Sequence, residues 1–245
     1  MSFLTPDTFI NEIKTYLARA EEHRRQTGRP FCTLAYAQSI DGSIACNPLH
    51  RIDLSGQESM TLTHQLRAMH RAILVGIRTV LADNPTLSVR RIPGQNPQPV
   101  VLDTRLRTPL SSNLFNHGKR QPWIATIQGA DVSRQRRLET KGAHVFRFPS
   151  DEHGWVTLEP LLHKMAEMGI NSLMVEGGAR VLTSFMRARL ANQVVITIAP
   201  LIVGGVSAFN RLTRDQSLLP RLRKVRYAHF GVDLTAWGYP SWEEV

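Results

Sequence analysis

The stretch from His64 to Arg90 constrains the fold of this chain more than any other. It reads as the end of a helix carrying Arg67, an apolar strand over 72–75, a glycine turn at Gly76 and a short helix stopped by Asp83-Asn84-Pro85. A short apolar run bounded by turn signals suits a strand buried on both faces. Helices flanking such a strand call for a layered α/β arrangement. Arg67, Thr79 and Arg90 then gather around one strand end, where open α/β sheets bind ligands. The same pattern also fits an ordinary strand–turn–helix with solvated arginines.

The rest of the chain continues the alternation. Phe9, Ile13, Tyr16, Leu17 and Ala20 follow helical spacing. One helix is predicted over 5–26, capped by Thr5, with Pro6 and Asp7 in its first turn and Gly28 and Pro30 ending it. Strands are predicted over 31–37, 99–103, 123–127, 144–148 and 194–199. Ser55-Gly-Gln-Glu58 has capping-box spacing and predicts a helix to about 69; further helices are predicted over 131–141 and 157–168. Residues 172–185 read as a strand, a double-glycine turn and a helix, and Gly204-Gly205 as the start of a mobile loop. One or two closing strands over 225–236 suggest an antiparallel edge on a largely parallel sheet. The expected organisation is a helical appendage over 1–29 on one domain over 30–245.

Lys and Arg number 30 against 20 Asp and Glu, a net charge of +10. A basic chain suits phosphorylated small molecules, nucleic acid or no anionic partner at all. The local runs His23-Arg24-Arg25 and Arg221-Leu-Arg-Lys-Val-Arg226 have no interleaved aromatic residues and read as solvated faces, so nucleic acid is not expected. No apolar run approaches the ~20 residues of a membrane span. Met1-Ser-Phe-Leu-Thr-Pro6 does not resemble a signal peptide, so the expected location is cytoplasmic. Cys32 and Cys46 are too few for a disulfide scaffold. No metal is expected: zinc-type spacing is missing, and His50, His64 and His70 read as surface or satisfied residues. The standard Rossmann glycine fingerprint, the P-loop, the hydrolase elbow and the zinc-deaminase signature do not occur.

Glu176-Gly177-Gly178 is the best local candidate for a phosphate site. Amides at a helix N-terminus attract anions, and glycines let a phosphate approach the backbone. A glycine turn chosen for its conformation alone gives the same letters. A carboxylate beside an anion site is awkward, so Glu176 is expected to face a hydrogen-bond donor such as a hydroxyl or the N–H of a base.

Several segments together resemble the reductase domain of riboflavin biosynthesis, the C-terminal half of bifunctional bacterial deaminase/reductases. They are Ser39-Ile-Asp-Gly-Ser-Ile-Ala45, Ser55-Gly56, Leu66-Arg-Ala68, the run Ile73 to Leu87, Val101-Leu-Asp103, Val175-Glu-Gly-Gly178 and Ile198-Ala-Pro200. The resemblance covers roughly Phe31 to Trp237. It implies a dihydrofolate-reductase-like α/β fold, NADPH as cofactor and a homodimer. It also implies reduction of a phosphorylated ribosylamino-pyrimidine to the ribitylamino compound. By this resemblance Ser59, Arg67, Leu87, Arg90 and Glu176 contact substrate, the arginines gripping phosphate and Glu176 orienting the pyrimidine or ribose. Ala37, Thr61, Thr79, Asp83 and Thr104 contact cofactor. So does the helix start Gly178, Ala179, Arg180, Val181, Leu182, Thr183 and Ser184. Arg78 and Arg105 lie near these positions and suit a 2′-phosphate, or solvent. The chain departs from many relatives at Ala35, where a lysine or asparagine can contact substrate; Gln38 stands nearby. The uracil substrate, its diamino counterpart and a nucleotide-binding member without reductase activity all remain open.

Overall fold

A computed structural model describes residues 3–47, 52–116 and 120–242; His50 lies outside them. The N-terminal segment forms two helices, α1 (Pro6–Leu17) and α2 (Ala20–Thr27), rather than the single predicted one. Thr5 caps α1, accepting from the Thr8 amide at 3.3 Å. No glycine or proline breaks the pair. The turn at Ala18 and Arg19 lets Arg24 donate to the Ala166 carbonyl and lets Arg29 pair with Glu159. The break therefore answers a tertiary contact invisible to local spacing.

Strand β1 (Phe31–Ser39) is followed by the short β2 (Ser43–Ala45), then α3 (Gln57–Met69), β3 (Ala72–Gly76) and α4 (Ile77–Asp83). The Asp83-Asn84-Pro85 run stops α4 as predicted, and Asn84 ends it in the left-handed conformation at φ 40°. Helix α3 is not capped by Ser55: Gly56 is its N-cap, and the Gly56 amide donates to Asp233 Oδ2 at 2.8 Å. A carboxylate 177 residues away takes the role assigned to a local side chain.

The chain continues through β4 (Gln98–Leu102), β5 (Trp123–Ile127), α5 (Val132–Thr140), β6 (His144–Phe148), α6 (Leu158–Glu167), β7 (Ser172–Val175), α7 (Ala179–Arg187) and β8 (Gln193–Ala199). It closes with β9 (Val206–Ser207), β10 (Arg221–Phe230) and β11 (Asp233–Ser241). Among the described residues one sheet has nine strands in the order β10-β11-β8-β1-β7-β3-β4-β5-β6. The seven from β8 to β6 run parallel, and β11 and β10 are antiparallel. The segment after Gly204-Gly205 pairs with β2 through β9 rather than remaining an open loop.

Period-two alternation divides the core. Leu34, Leu74, Leu173 and Val175 face a layer built from α6 and α7. Ala35 and Met174 face α1 and α3, while Ile73 and Val75 face α4. A buried polar chain crosses the α1/α3 side. Trp237 Nε1 donates to Gln193 Oε1 at 2.8 Å, and Gln193 Nε2 donates to Thr33 Oγ1 at 2.9 Å. Thr33 Oγ1 lies 2.7 Å from His70 Nε2, and His70 Nδ1 lies 2.6 Å from the Leu66 carbonyl. Every link is satisfied if His70 is neutral with its proton on Nδ1. Burial pushes His70 down to about 4, which keeps that form.

Candidate active-site cleft

A cleft of about 1870 Å³ opens beyond the C-terminal ends of β1, β7, β3 and β4. Single small-molecule pockets hold roughly 300–1,000 Å³, so this one has room for two ligands side by side.

Glu176 sits at the end of β7, where its amide extends the sheet by donating to the Leu74 carbonyl at 2.9 Å. Arg67 reaches it from the last turn of α3. Arg67 Nε donates to Glu176 Oε1 and Nη2 to Oε2, both at 2.6 Å, a bidentate fork. The side chains are only 9% and 17% exposed. The donor that Glu176 faces is thus the protein's own guanidinium. Burial disfavours the Arg67 charge, but the Glu176 carboxylate more than restores it and leaves Arg67 above its ordinary value. The third contact of Arg67, Nη1 to the Ser88 carbonyl at 3.1 Å, ties the pair to the loop after α4.

That loop is pinned from several sides. Leu87 adopts φ 53° and buries its side chain beside Ile73 and Val80. The Arg90 amide donates to His64 Nδ1 at 3.1 Å, and Arg90 Nη1 to Thr86 Oγ1 at 2.9 Å. His64 is pushed down to about 4 by burial and by the charges of Arg67 and Arg90. A neutral ring accepting on Nδ1 carries its proton on Nε2, which is buried with no partner among the described residues.

The opposite wall is backbone-rich. Gly177 and Gly178 hold φ 81° and 76°, conformations natural to glycine. A side chain at Gly178 would place its Cβ 3.4 Å from Thr79 Oγ1, whereas nothing lies within 4 Å of one at Gly177. Gly76 serves packing: a Cβ there would come within 2.8 Å of Val181, so only glycine lets α7 close on β3. The first turn of α7 therefore presents an open backbone cradle beside Thr79.

Arg67, Leu87, Arg90 and Glu176 line the cleft, as do Ala37, Thr79, Asp83, Thr104, Gly178, Ala179, Arg180, Val181, Leu182 and Ser184. Ser59, Thr61 and Thr183 do not. Ser59 is fully buried and donates to the Phe230 carbonyl at 3.3 Å. Thr61 donates to the Gln57 carbonyl at 3.0 Å. The α3 residues that line the cleft are Met60, Leu62, Thr63, Leu66 and Arg67, with Ser59 and Thr61 outside the set. Thr183 donates to Ala179 and accepts from the Asn210 amide, so it ties α7 to the following loop. Sequence reading missed Tyr36, Arg107 and the loop carrying Trp155, all on the cleft wall. Trp155 belongs to no motif, and its only signal was an aromatic residue next to Gly154. Ala35 does line the cleft, without a polar side chain.

Fold and cleft define a dihydrofolate-reductase-like α/β protein. Dihydrofolate reductase from Enterococcus faecalis superposes with a TM-score of 0.51 at 11% identity, covering 86% of this chain and 96% of that one. The chain belongs to the RibD C-terminal domain family, which matches residues 30–236. It is 35% identical over 244 residues to the riboflavin biosynthesis protein RibD of Bacillus amyloliquefaciens, covering 94% of this chain and 65% of that protein. It is 37% identical over 183 residues to a 2,5-diamino-6-ribosylamino-4(3H)-pyrimidinone 5′-phosphate reductase of Methanothermobacter thermautotrophicus, covering 74% and 82%. Among solved structures, the Saccharomyces cerevisiae riboflavin biosynthesis reductase Rib7 matches with a TM-score of 0.70 at 27% identity, covering 94% and 100%. The chain spans 49–65% of the length of these RibD relatives. No helix among the described residues is long and apolar enough to cross a membrane.

Proposed function

We propose that this protein is an NADPH-dependent reductase of riboflavin biosynthesis. Its substrate would be 5-amino-6-(5-phosphoribosylamino)uracil, whose ribosyl group it reduces to ribityl. The observation that carries the reading is the buried Arg67–Glu176 fork at the floor of a cleft large enough for cofactor and substrate together.

The backbone cradle at Gly177, Gly178 and the first turn of α7 fits a dinucleotide's phosphates, since both glycines hold positive φ and leave the backbone open at the helix N-terminus. When bound, NADPH supplies the hydride. On the substrate the glycosylamine would open to an imine as its N–H proton passes to the ring oxygen; the sugar C1 would then take the hydride and the nitrogen one proton from solvent. The chain's own part is to bind and orient. Arg67 occupies one lone pair on each Glu176 oxygen and leaves the others to accept from substrate N–H or O–H groups. Two of the five Arg67 N–H bonds remain for a substrate oxygen. Arg90, on the loop tied to Arg67 through Ser88, suits the substrate phosphate.

The free-standing relatives named as diaminopyrimidinone phosphate reductases favour a second substrate, the 2,5-diamino compound. Offering each ribosylamino-pyrimidine phosphate separately and following NADPH oxidation by absorbance decides between them. Oxidation with neither, despite NADPH binding, overturns the reductase reading. The same reading carries a homodimer and a cytoplasmic location, checked by sedimentation and by cell fractionation.

A further inference from the structure

The run Ser39-Ile-Asp-Gly-Ser43 turns the chain from β1 into β2, and none of Ser39, Asp41 and Ser43 lines the cleft. Its carboxylate nevertheless gathers four donors. Asp41 Oδ1 accepts from the Ser39 hydroxyl and from the Val203 amide, the latter at 3.0 Å. Oδ2 accepts from the Ser43 hydroxyl at 3.0 Å and from the Gly204 amide at 2.7 Å. Both hydroxyls relay further. Ser39 Oγ accepts from the Ser43 amide at 3.0 Å, and Ser43 Oγ from the Gly205 amide at 2.9 Å. The Ser39 hydroxyl first, then the Val203 and Gly204 amides, hold the Asp41 carboxyl well below the usual carboxylate range, so both oxygens remain acceptors.

What this carboxylate fastens is a wall of the cleft. Strands β2 and β9 form a separate two-stranded ribbon, paired at Ser43 with Ser207 and at Ala45 with Val206. Two strands this short are marginal on their own. Ile44, Ala45 and Val206 of the ribbon line the cleft. Gly205 lets the two backbones close, since a Cβ there would collide with the Ala45 carbonyl oxygen. Two backbone bonds bracket the clasp. The Ile40 amide donates to the Leu201 carbonyl at 2.9 Å, and the Ala208 amide to the Gly42 carbonyl at 3.0 Å. Asp41 is thus where the end of β1, the start of β2 and the segment after β8 meet.

We propose that Asp41 is a positioning residue, which clamps the β2/β9 ribbon onto the cleft and so keeps the bound ligands in line for hydride transfer. This rests on the reductase reading above. Hydride transfer needs the donor carbon and the sugar C1 held together, and a misplacement of about 1 Å costs roughly a hundredfold in rate. A ribbon with two paired positions does not hold that tolerance by its own hydrogen bonds. Asp41 stands outside the cleft, so it acts through Ile44, Ala45 and Val206. Substitutions remove its bonds by degrees. Asparagine keeps one acceptor oxygen, and with it one hydroxyl and one amide partner; alanine keeps none.

The test pairs steady-state kinetics with amide hydrogen exchange on the full chain, for wild type, Asp41→Asn, Asp41→Ala and Gly205→Ala. With the ribosylamino-pyrimidine phosphate that wild type turns over, kcat should fall roughly tenfold in Asp41→Asn and about a hundredfold in Asp41→Ala, more than either KM rises. Exchange at amides 203–205 should quicken in the same order, by at least about tenfold in Asp41→Ala, while β1 and β8 stay protected. Gly205→Ala opens the ribbon from its other side and should repeat both effects with Asp41 intact. A kcat within about twofold of wild type in Asp41→Ala overturns the proposal. So does a fall in kcat with exchange at 203–205 unchanged. Equally faster exchange throughout β1 and β8 overturns it too, because Asp41 would then support the whole fold rather than the ribbon. If wild type oxidises NADPH with neither pyrimidine, the reductase reading falls and exchange alone decides the clamp. NADPH slowing amides 203–205 in wild type but not in Asp41→Ala supports it, and no slowing in wild type overturns it.

Discussion

Replacing Glu176 by glutamine tests the centre of the cleft. The substitution keeps the shape and removes the charge. Arg67 is then left 9% exposed with one neutral acceptor, the oxygen of the new side-chain amide, and the Ser88 carbonyl. Removing one partner of a buried ion pair costs about 3–5 kcal/mol. The surviving neutral hydrogen bond returns about 1 kcal/mol, so the net loss is about 2–4 kcal/mol. For a chain of this size each kcal/mol moves Tm by about 2–4 °C, which gives a fall of roughly 5–15 °C. Turnover should drop by more than NADPH affinity, because the proposed function gives Glu176 to the substrate. The assay is thermal unfolding followed by circular dichroism on Glu176→Gln, Arg67→Met and the double variant, with kcat and NADPH affinity for each. The double-mutant cycle should show a coupling of about 1.5–3 kcal/mol, since the second substitution removes the stranded charge. A coupling near zero, with Tm within a degree of wild type, would refute the argument that the pair is a buried, mutually dependent unit. Unchanged turnover would remove Glu176 from the active site.

Other outcomes follow from the same geometry. His64 and His70 are each pushed down to about 4 in the folded protein from an ordinary 6.5. The unfolded chain therefore binds protons in that window that the native one does not. Stability is full above about pH 6.5 and falls towards pH 4, by roughly 3 kcal/mol for the fully enclosed His70 and by less for His64 at the cleft wall. A pH series of Tm should show the loss, and His70→Gln should flatten it; a flat wild-type profile from pH 7 to 5 would contradict neutral buried rings. Gly178→Val forces a branched residue to φ 76° and fills the backbone cradle, so it should cost at least about 1–2 kcal/mol and abolish NADPH binding. Normal calorimetric affinity in that variant would put the cofactor phosphates elsewhere. Ser59→Ala should cost about 1 kcal/mol through loss of the bond to the Phe230 carbonyl and leave substrate KM within about twofold. A tenfold KM change would mean that Ser59 turns into the cleft when substrate binds.

Local chemistry carried much of the fold. The apolar run of β3, the Asn84-Pro85 stop of α4, the Asp131 cap of α5 and the two glycines before α7 each act within a few residues, through sterics and nearest hydrogen bonds. Such signals survive in one dimension, and so did the family motifs that pointed to the cleft. Tertiary structure decided what depends on distant partners. Asp233, not Ser55, serves the start of α3, and α2 swings away from α1 to meet α6. Arg67 and Glu176, 109 residues apart, become one charged unit rather than two separate ligand contacts. The phase of α3 turns Met60 and Thr63 to the cleft where Ser59 and Thr61 were expected: Ser59 is buried against the Phe230 carbonyl and Thr61 bonds back to Gln57. Trp155 meets Arg180 only in the fold, the guanidinium lying 4.3 Å from the ring centre. Residue type and spacing thus determined the elements and the kind of chemistry. Packing chose which side chains meet, because burial and electrostatics act through space rather than along the chain.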